Sequence, residues 1–232
     1  FKARYQSTLS NLCSLRMNDS TMIKSGVMEA TYAADRKRKP GHIFNLNMRV
    51  QVVLHCIYVY HIRTSGLKIL DLGSAEGSTL IKLDRDLKNC RFWGVEYSDD
   101  LIKAGEKLPA SITLLQGDVS SLPSAITCRN YDIVTALAVL EHLSNPVDAI
   151  KCAATTLKKG GVFIATAPAP FWDTLASKLD FIPGEHHIRY VNVSTLRSLV
   201  IEAGLRPLAT IPFMFAPVAC LPYFGIPIKP KK

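Results

Sequence analysis

At 232 residues, 48% of them hydrophobic and 20% charged, the chain is long enough for one sizeable α/β core and too short for two ordinary domains with a linker. Its net charge of +9 argues less for a nucleic-acid-binding body than it first suggests: Arg36-Lys37-Arg38-Lys39 and Lys229, Lys231 and Lys232 hold seven of the bases, and removing them leaves +2. Six cysteines scattered without C-x-x-C spacing speak against a disulfide framework or a zinc site and for reduced thiols.

Residues 1–40 are expected to form a partly flexible N-terminal extension, because residues up to about Asp19 lack clear periodicity and a basic tract follows. No secretory signal pattern is evident, and the expected location is cytoplasmic. The run Val50 to Ile62 is apolar but interrupted by Gln51, His55 and His61, and it falls short of the ~20 residues of a membrane span. It reads as a buried helix ahead of the first strand.

Lys68-Ile69-Leu70-Asp71-Leu72-Gly73-Ser74-Ala75-Glu76-Gly77-Ser78 carries the most information. An apolar strand meets an acid and then a glycine-rich turn that opens a helix. Gly73 and Gly77 let the main chain turn sharply and lie close to a nucleoside at a helix N-terminus. Asp71 would repel a pyrophosphate and suits a cationic ligand. About 20 residues on, Arg91 to Tyr97 reads as a second buried strand ending at Glu96, the spacing at which a carboxylate meets ribose hydroxyls. Ile112 to Gln116 forms a third strand and leads into Gly117-Asp118-Val119, so Asp118 is an acceptor for an adenine amino group. Taken singly, each acid also reads as a solvated turn residue.

Further on, Asn145-Pro146 starts a helix, with Asn as cap and Val147, Ile150, Ala154 and Leu157 as its buried face. Gly160-Gly161 ends that helix before a fifth strand, Val162 to Ala167. Pro168, Pro170 and Pro183 mark an irregular crossing where a substrate lid fits, over about 168–192. Ser194 to Ala203 reads as a serine-capped last helix stopped by Gly204, and Ala209 to Phe215 as a possible edge strand in a proline-rich tail.

These residues resemble the class I S-adenosylmethionine-dependent methyltransferases, from about Ile43 to Leu205, and most closely the branch containing the ubiquinone-biosynthesis O-methyltransferases. Tyr131 to Leu143 is similar to that branch's fourth strand with its Glu141-His142 ending, and Leu157 to Ile164 to the lead into its fifth. The middle glycine of the family's G-x-G-x-G loop is Ala75 here. The resemblance implies an α/β fold, a Rossmann-like, seven-stranded, mostly parallel sheet with helices on both faces, as a methyltransferase domain over 41–232. It implies S-adenosyl-L-methionine as cofactor, held by Asp71, Gly73, Ser74, Ala75, Gly77, Glu96, Tyr97, Asp118, Val119, Ala136 and Leu137.

Methyl transfer from a sulfonium needs chiefly alignment of the acceptor and removal of its proton. His142 is the candidate catalytic base, and a wall of the cofactor pocket is its alternative role. His186, His187 and Tyr190 are candidate substrate contacts. Some relatives bind magnesium through E-x-x-E-H; Ala138 replaces the first glutamate here, so no metal is expected. The expected partner is a small or lipid-like methyl acceptor, without a stable nucleic-acid complex and without a transmembrane segment. The competing reading is an RNA- or protein-directed enzyme or adaptor docking through residues 36–39, with a catalytically silent cofactor-binding scaffold as a third.

Overall fold

The computed structural model describes residues 38–105, 107–167 and 192–210. Its first element, α1 (Pro40–Val59), places Leu46, Val50, Val53 and Ile57 on one buried face, while Gln51 and His55 point outward. The helix is therefore longer and more amphipathic than the apolar run suggested, because the same residues that interrupt the run lie on its solvent side. Each fully buried aliphatic side chain contributes about 1.5–3 kcal/mol, so tertiary packing rather than propensity holds this helix. No helix among the described residues is long and apolar enough to cross a membrane.

Five strands follow: β1 (Lys68–Leu72), β2 (Arg91–Glu96), β3 (Ile112–Gln116), β4 (Tyr131–Leu137) and β5 (Leu157–Thr166). They lie in the order β3-β2-β1-β4-β5, and every adjacent pair is parallel. Between them run α2 (Ser78–Asp86), α3 (Asp99–Lys103), α4 (Ser124–Thr127) and α5 (Pro146–Thr156), and α6 (Val193–Glu202) comes last. Alternate strand residues feed two cores. Ile69, Phe92 and Ile133 pack with α1 and α2, whereas Leu70, Trp93 and Val134 pack with α5 and α6. Burial on both faces explains why these strands read as continuous apolar runs. The described residues hold five strands, and the expected edge strand Ala209–Phe215 falls mostly outside them.

Three local expectations change. The fifth strand begins at Leu157, and Lys158 to Gly161 form an irregularity within it between the pairs Tyr131↔Leu157 and Ile133↔Val162. Gly161 is needed there because a Cβ would lie 3.0 Å from the carbonyls of Lys158 and Tyr131. Asn145 makes no capping bond; its Nδ2 donates to Asp148 at 2.6 Å, and Ala153 takes the buried place expected of Ala154. The last helix is capped by Asn192, whose side chain accepts from the Thr195 amide at 2.8 Å, two residues earlier than Ser194.

At the amino ends of the strands Asp132 ties the sheet together. Its buried carboxylate accepts from the Lys68 amide at 2.8 Å and Arg63 Nη2 at 3.3 Å, and it pairs with Lys158. Burial pushes its pKa up, but the Lys158 and Lys68 hydrogen bonds and the charges of Lys158 and Arg63 outweigh that and hold it below the ordinary carboxylate range. A depressed folded-state pKa stabilises above the unfolded value and ceases to do so as pH falls through the folded one. Asp132→Asn is therefore expected to lower stability at neutral pH by about 1–3 kcal/mol. Melting curves recorded down an acid series should show the two proteins converging below the ordinary carboxylate range.

Candidate active site

Between β1 and β4 the chain reverses its direction of travel across the sheet: β2 and β3 extend one side, β4 and β5 the other. Adjacent loops part at such a point and leave a crevice at the carboxyl ends of the strands. The loop 73–77 leaves β1 at this crevice. A Cβ on Gly73, whose φ is +70°, would lie 2.5 Å from Val139 Cγ2, so only glycine lets the β1 and β4 loops approach this closely.

The loop is held by backbone contacts. The amides of Gly73 and Ser74 both donate to the Val95 carbonyl, at 2.8 and 3.2 Å, and Gly77 donates to the Ser74 carbonyl at 2.9 Å. Ala75 sits buried at a φ of +47°. Its methyl costs about 1–2 kcal/mol in that left-handed region, so the loop follows a glycine path without the glycine. The Ala75 amide donates to Glu96 Oε2 at 2.9 Å, and the Ser98 amide donates to Glu96 Oε1 at 3.0 Å. Glu96 thus fastens the loop to β2, and with about four lone-pair positions a carboxylate retains capacity for hydroxyl donors.

Asp71 is 3% exposed and accepts from Thr135 Oγ1 at 2.6 Å, across the register pair that joins β1 to β4. Asp118 is exposed and accepts from the Ser120 amide at 2.8 Å, the local turn chemistry that its residue type favours. Tyr97 stands 42% exposed beside Glu96. Val119, Ala136 and Leu137 bury their side chains in the two cores, and Ala136 and Leu137 also stand in the ladder between β4 and β5. His142 lies on a 3-10 turn, Leu140–His142, directly beyond the crevice, and is 9% exposed. His186, His187 and Tyr190 fall outside the described residues. Among the described residues no group of three His, Cys, Asp or Glu side chains converges as a metal site would require.

Two contributors escaped the sequence reading. Glu76 is 1% exposed inside the loop and accepts from Ser78 Oγ at 2.5 Å. Gly94, in the middle of β2, makes room for Ser74: a Cβ there would lie 2.6 Å from Ser74 Cβ and 2.5 Å from Leu114 Cδ2. An isolated glycine within a strand is the signal that marks such a close approach. The crevice can accept a nucleoside with positive charge: it combines buried carboxylates, a loop approachable at its backbone, and a helix N-terminus. Gly94→Ala should push the loop off β2 and lower the unfolding free energy by about 1–3 kcal/mol in denaturant titrations. An unchanged midpoint would show that the loop yields without cost.

Comparison with known proteins agrees with this geometry. A family model described as a methyltransferase domain matches residues 31–210. The ubiquinone biosynthesis O-methyltransferase of Nitrosospira multiformis is 25% identical, over 68% of this chain and 70% of that one. That of Ralstonia nicotianae is also 25% identical, over 62% of this chain and 64% of its own length. Among solved structures, a possible histamine N-methyltransferase from Thermotoga maritima superposes with a TM-score of 0.55 at 19% identity, covering 75% of each chain. The plantazolicin methyltransferase BamL, solved with S-adenosylhomocysteine and a desmethyl analogue, gives 0.60 at 10% identity, covering 75% of this chain and 66% of that one. The switch-point crevice, its acid-lined glycine loop and the family match over most of the chain together show that this protein belongs to the methyltransferase-domain family, as a class I S-adenosylmethionine-dependent methyltransferase.

Proposed function

We propose that the chain methylates an oxygen, nitrogen or carbon of a small or lipid-like acceptor in the cytoplasm, within a domain spanning 41–232 whose segment 168–192 closes over the carboxyl edge and whose sheet is completed to seven strands. The observation that supports this reading is that His142, 9% exposed, lies on the 3-10 turn just after β4, three residues beyond the Val139 side chain that abuts Gly73. Similarity to ubiquinone biosynthesis O-methyltransferases supports the small, lipid-like class of acceptor.

S-adenosylmethionine supplies a methyl group already activated on a sulfonium. The chain's residues fit it: Glu96 accepts from ribose hydroxyls with the capacity left over from its two amide bonds, Asp118 accepts from the adenine amino group, and Asp71 offsets positive charge. The amides and Cα groups of Gly73, Ser74, Ala75 and Gly77, with backbone groups at Tyr97, Val119, Ala136 and Leu137, line the remainder. His142 takes the proton from the acceptor as the new bond forms, and His186, His187 and Tyr190 orient that acceptor. No metal enters this scheme.

Glu96→Gln keeps the shape of the side chain but turns an N–H₂ toward one of two amide donors. Calorimetry should show S-adenosylmethionine binding weakened by about 1.5–3 kcal/mol, and unchanged affinity would place the ribose contact elsewhere. His142→Ala should lower turnover by roughly 100-fold with little change in cofactor affinity. Lost cofactor binding with unchanged turnover at saturation would make His142 a pocket wall instead. Full activity in EDTA is the expected control, and inactivation rescued by magnesium would overturn the metal-free scheme.

A further inference from the structure

Charge in this protein is sorted between the two edges of the sheet. At the carboxyl edge, the described segments 71–77, 96–100, 117–123 and 137–148 contain acids and no lysine or arginine. At the amino edge, the segments leading into the five strands (60–68, 87–91, 104–112, 128–132 and 157–161) hold eight bases against Asp132 among the described residues, a net +7, or +6 when Glu106 of the same stretch of sequence is counted. The whole-chain count hides this polarity.

Contacts link six of these bases, Arg63, Lys68, Lys88, Arg91, Arg129 and Lys158. Lys68 and Arg91 are register partners on β1 and β2. Lys68 Nζ donates to the Arg129 carbonyl at 3.3 Å, and Gly66 donates to the Lys88 carbonyl at 3.3 Å. Arg63 and Lys158 flank Asp132 with 61% and 44% of their side chains exposed. Lys88, Arg91 and Lys159 are exposed as well.

Helix C-termini at this edge attract positive charge, and that is the structural alternative. Each carries about half a negative unit, so the five helices α1–α5 offset at most about −2.5. Counting Asp84, Arg85 and Asp86 in the last turn of α2 reduces the edge from +6 to +5. An excess of positive charge therefore remains after the dipoles are satisfied.

The apolar neighbours of these bases indicate what the excess is for. Tyr58 and Val59, at the end of α1, are 67% and 40% exposed and lie a few residues before Arg63. Basic side chains beside an exposed Tyr and an aliphatic residue make an interfacial surface, suited to anionic headgroups and the acyl boundary below them. Single-stranded nucleic acid would call for aromatic faces on which bases stack. The rings nearest Arg129, Trp93 and Tyr131, are buried and packed edge to face at 5.4 Å, with the Arg129 guanidinium over Trp93.

We propose that the amino edge of the sheet docks on a membrane surface rich in anionic phospholipid. The acidic carboxyl edge is repelled by the same surface, so the docked protein presents its cofactor crevice to water. This peripheral contact needs no membrane-spanning segment, and it holds whatever the methyl acceptor is.

The test is sedimentation of the full chain with vesicles of phosphatidylcholine alone and with vesicles of equal parts phosphatidylcholine and phosphatidylserine, at low and high salt. Binding should occur to the anionic vesicles only and fall with salt. Each base at such a surface contributes about fivefold in affinity, so the combined Lys88→Glu, Arg91→Glu and Lys159→Glu variant should bind at least ~100-fold more weakly. Tyr58→Ser should weaken binding while leaving its salt dependence intact. Far-ultraviolet circular dichroism and S-adenosylmethionine affinity of the variants should match the parent, which separates this test from the catalytic reading. Parent-like vesicle binding by the charge-reversed variant would assign the contact to the basic tracts at 36–39 or 229–232 and overturn the proposal. So would equal binding to neutral vesicles, no binding by the parent protein, or tighter binding to single-stranded RNA than to anionic vesicles.

Discussion

The crevice exists because a stretch of main chain can lie almost in contact with two strands at once. Gly73 meets Val139 on the β4 side, and Ser74 occupies the space that Gly94 leaves open on β2. The approach brings the amides of Gly73 and Ser74 to the Val95 carbonyl and that of Ala75 to the Glu96 carboxylate. Hydrogen bonds to a charged acceptor contribute about 1.5–3 kcal/mol, more than the ~1–2 kcal/mol cost of holding Ala75 at positive φ. The strained alanine is therefore sustained by the bond its own amide makes.

Glu96 joins structure to function. Its two oxygens position the loop, and the proposed ribose contact would use the same carboxylate. Asp71 is likewise held in place: Thr135 clamps it across the β1–β4 pair, and the proposed function gives its charge to the cofactor. An acid already held in place loses little side-chain entropy when a ligand arrives, which is the benefit of preorganisation. It also means that replacing either acid would disturb the apo fold as well as the proposed ligand contact.

The two edges of the sheet treat acids differently. Asp132, at the amino edge, is surrounded by cations and by the Lys68 amide, and serves to bind β1, β4 and β5 together. The acids at the carboxyl edge lie in segments free of lysine and arginine, so their field favours cationic ligands. The same residue type thus acts as a structural tie at one end of the molecule and as part of a binding field at the other, according to which charges the topology places beside it.

Much of this was legible in the residues in order. Continuous apolar runs announced doubly covered strands and the glycine turn at 73–77 announced a cofactor loop, whereas Gly94 within β2 was a sign of close approach that went unread. These are local properties, set by backbone sterics and by side-chain period. Other features depended on residues distant in the chain. The competition for helix caps went to Asn192 over Ser194, and Asn145 bonded Asp148 rather than an amide, because a cap depends on entry geometry as well as residue type. Glu76 gave no sign of burial, since a charged residue in a glycine loop ordinarily faces water. By itself the sequence determined a parallel α/β sheet with an acid-lined nucleoside loop. Only the tertiary structure decided that Glu96 fastens that loop, that Val139 closes against Gly73, and that bases scattered over about a hundred residues gather at one edge, because parallel strands carry the starts of five separate segments to a single side of the sheet.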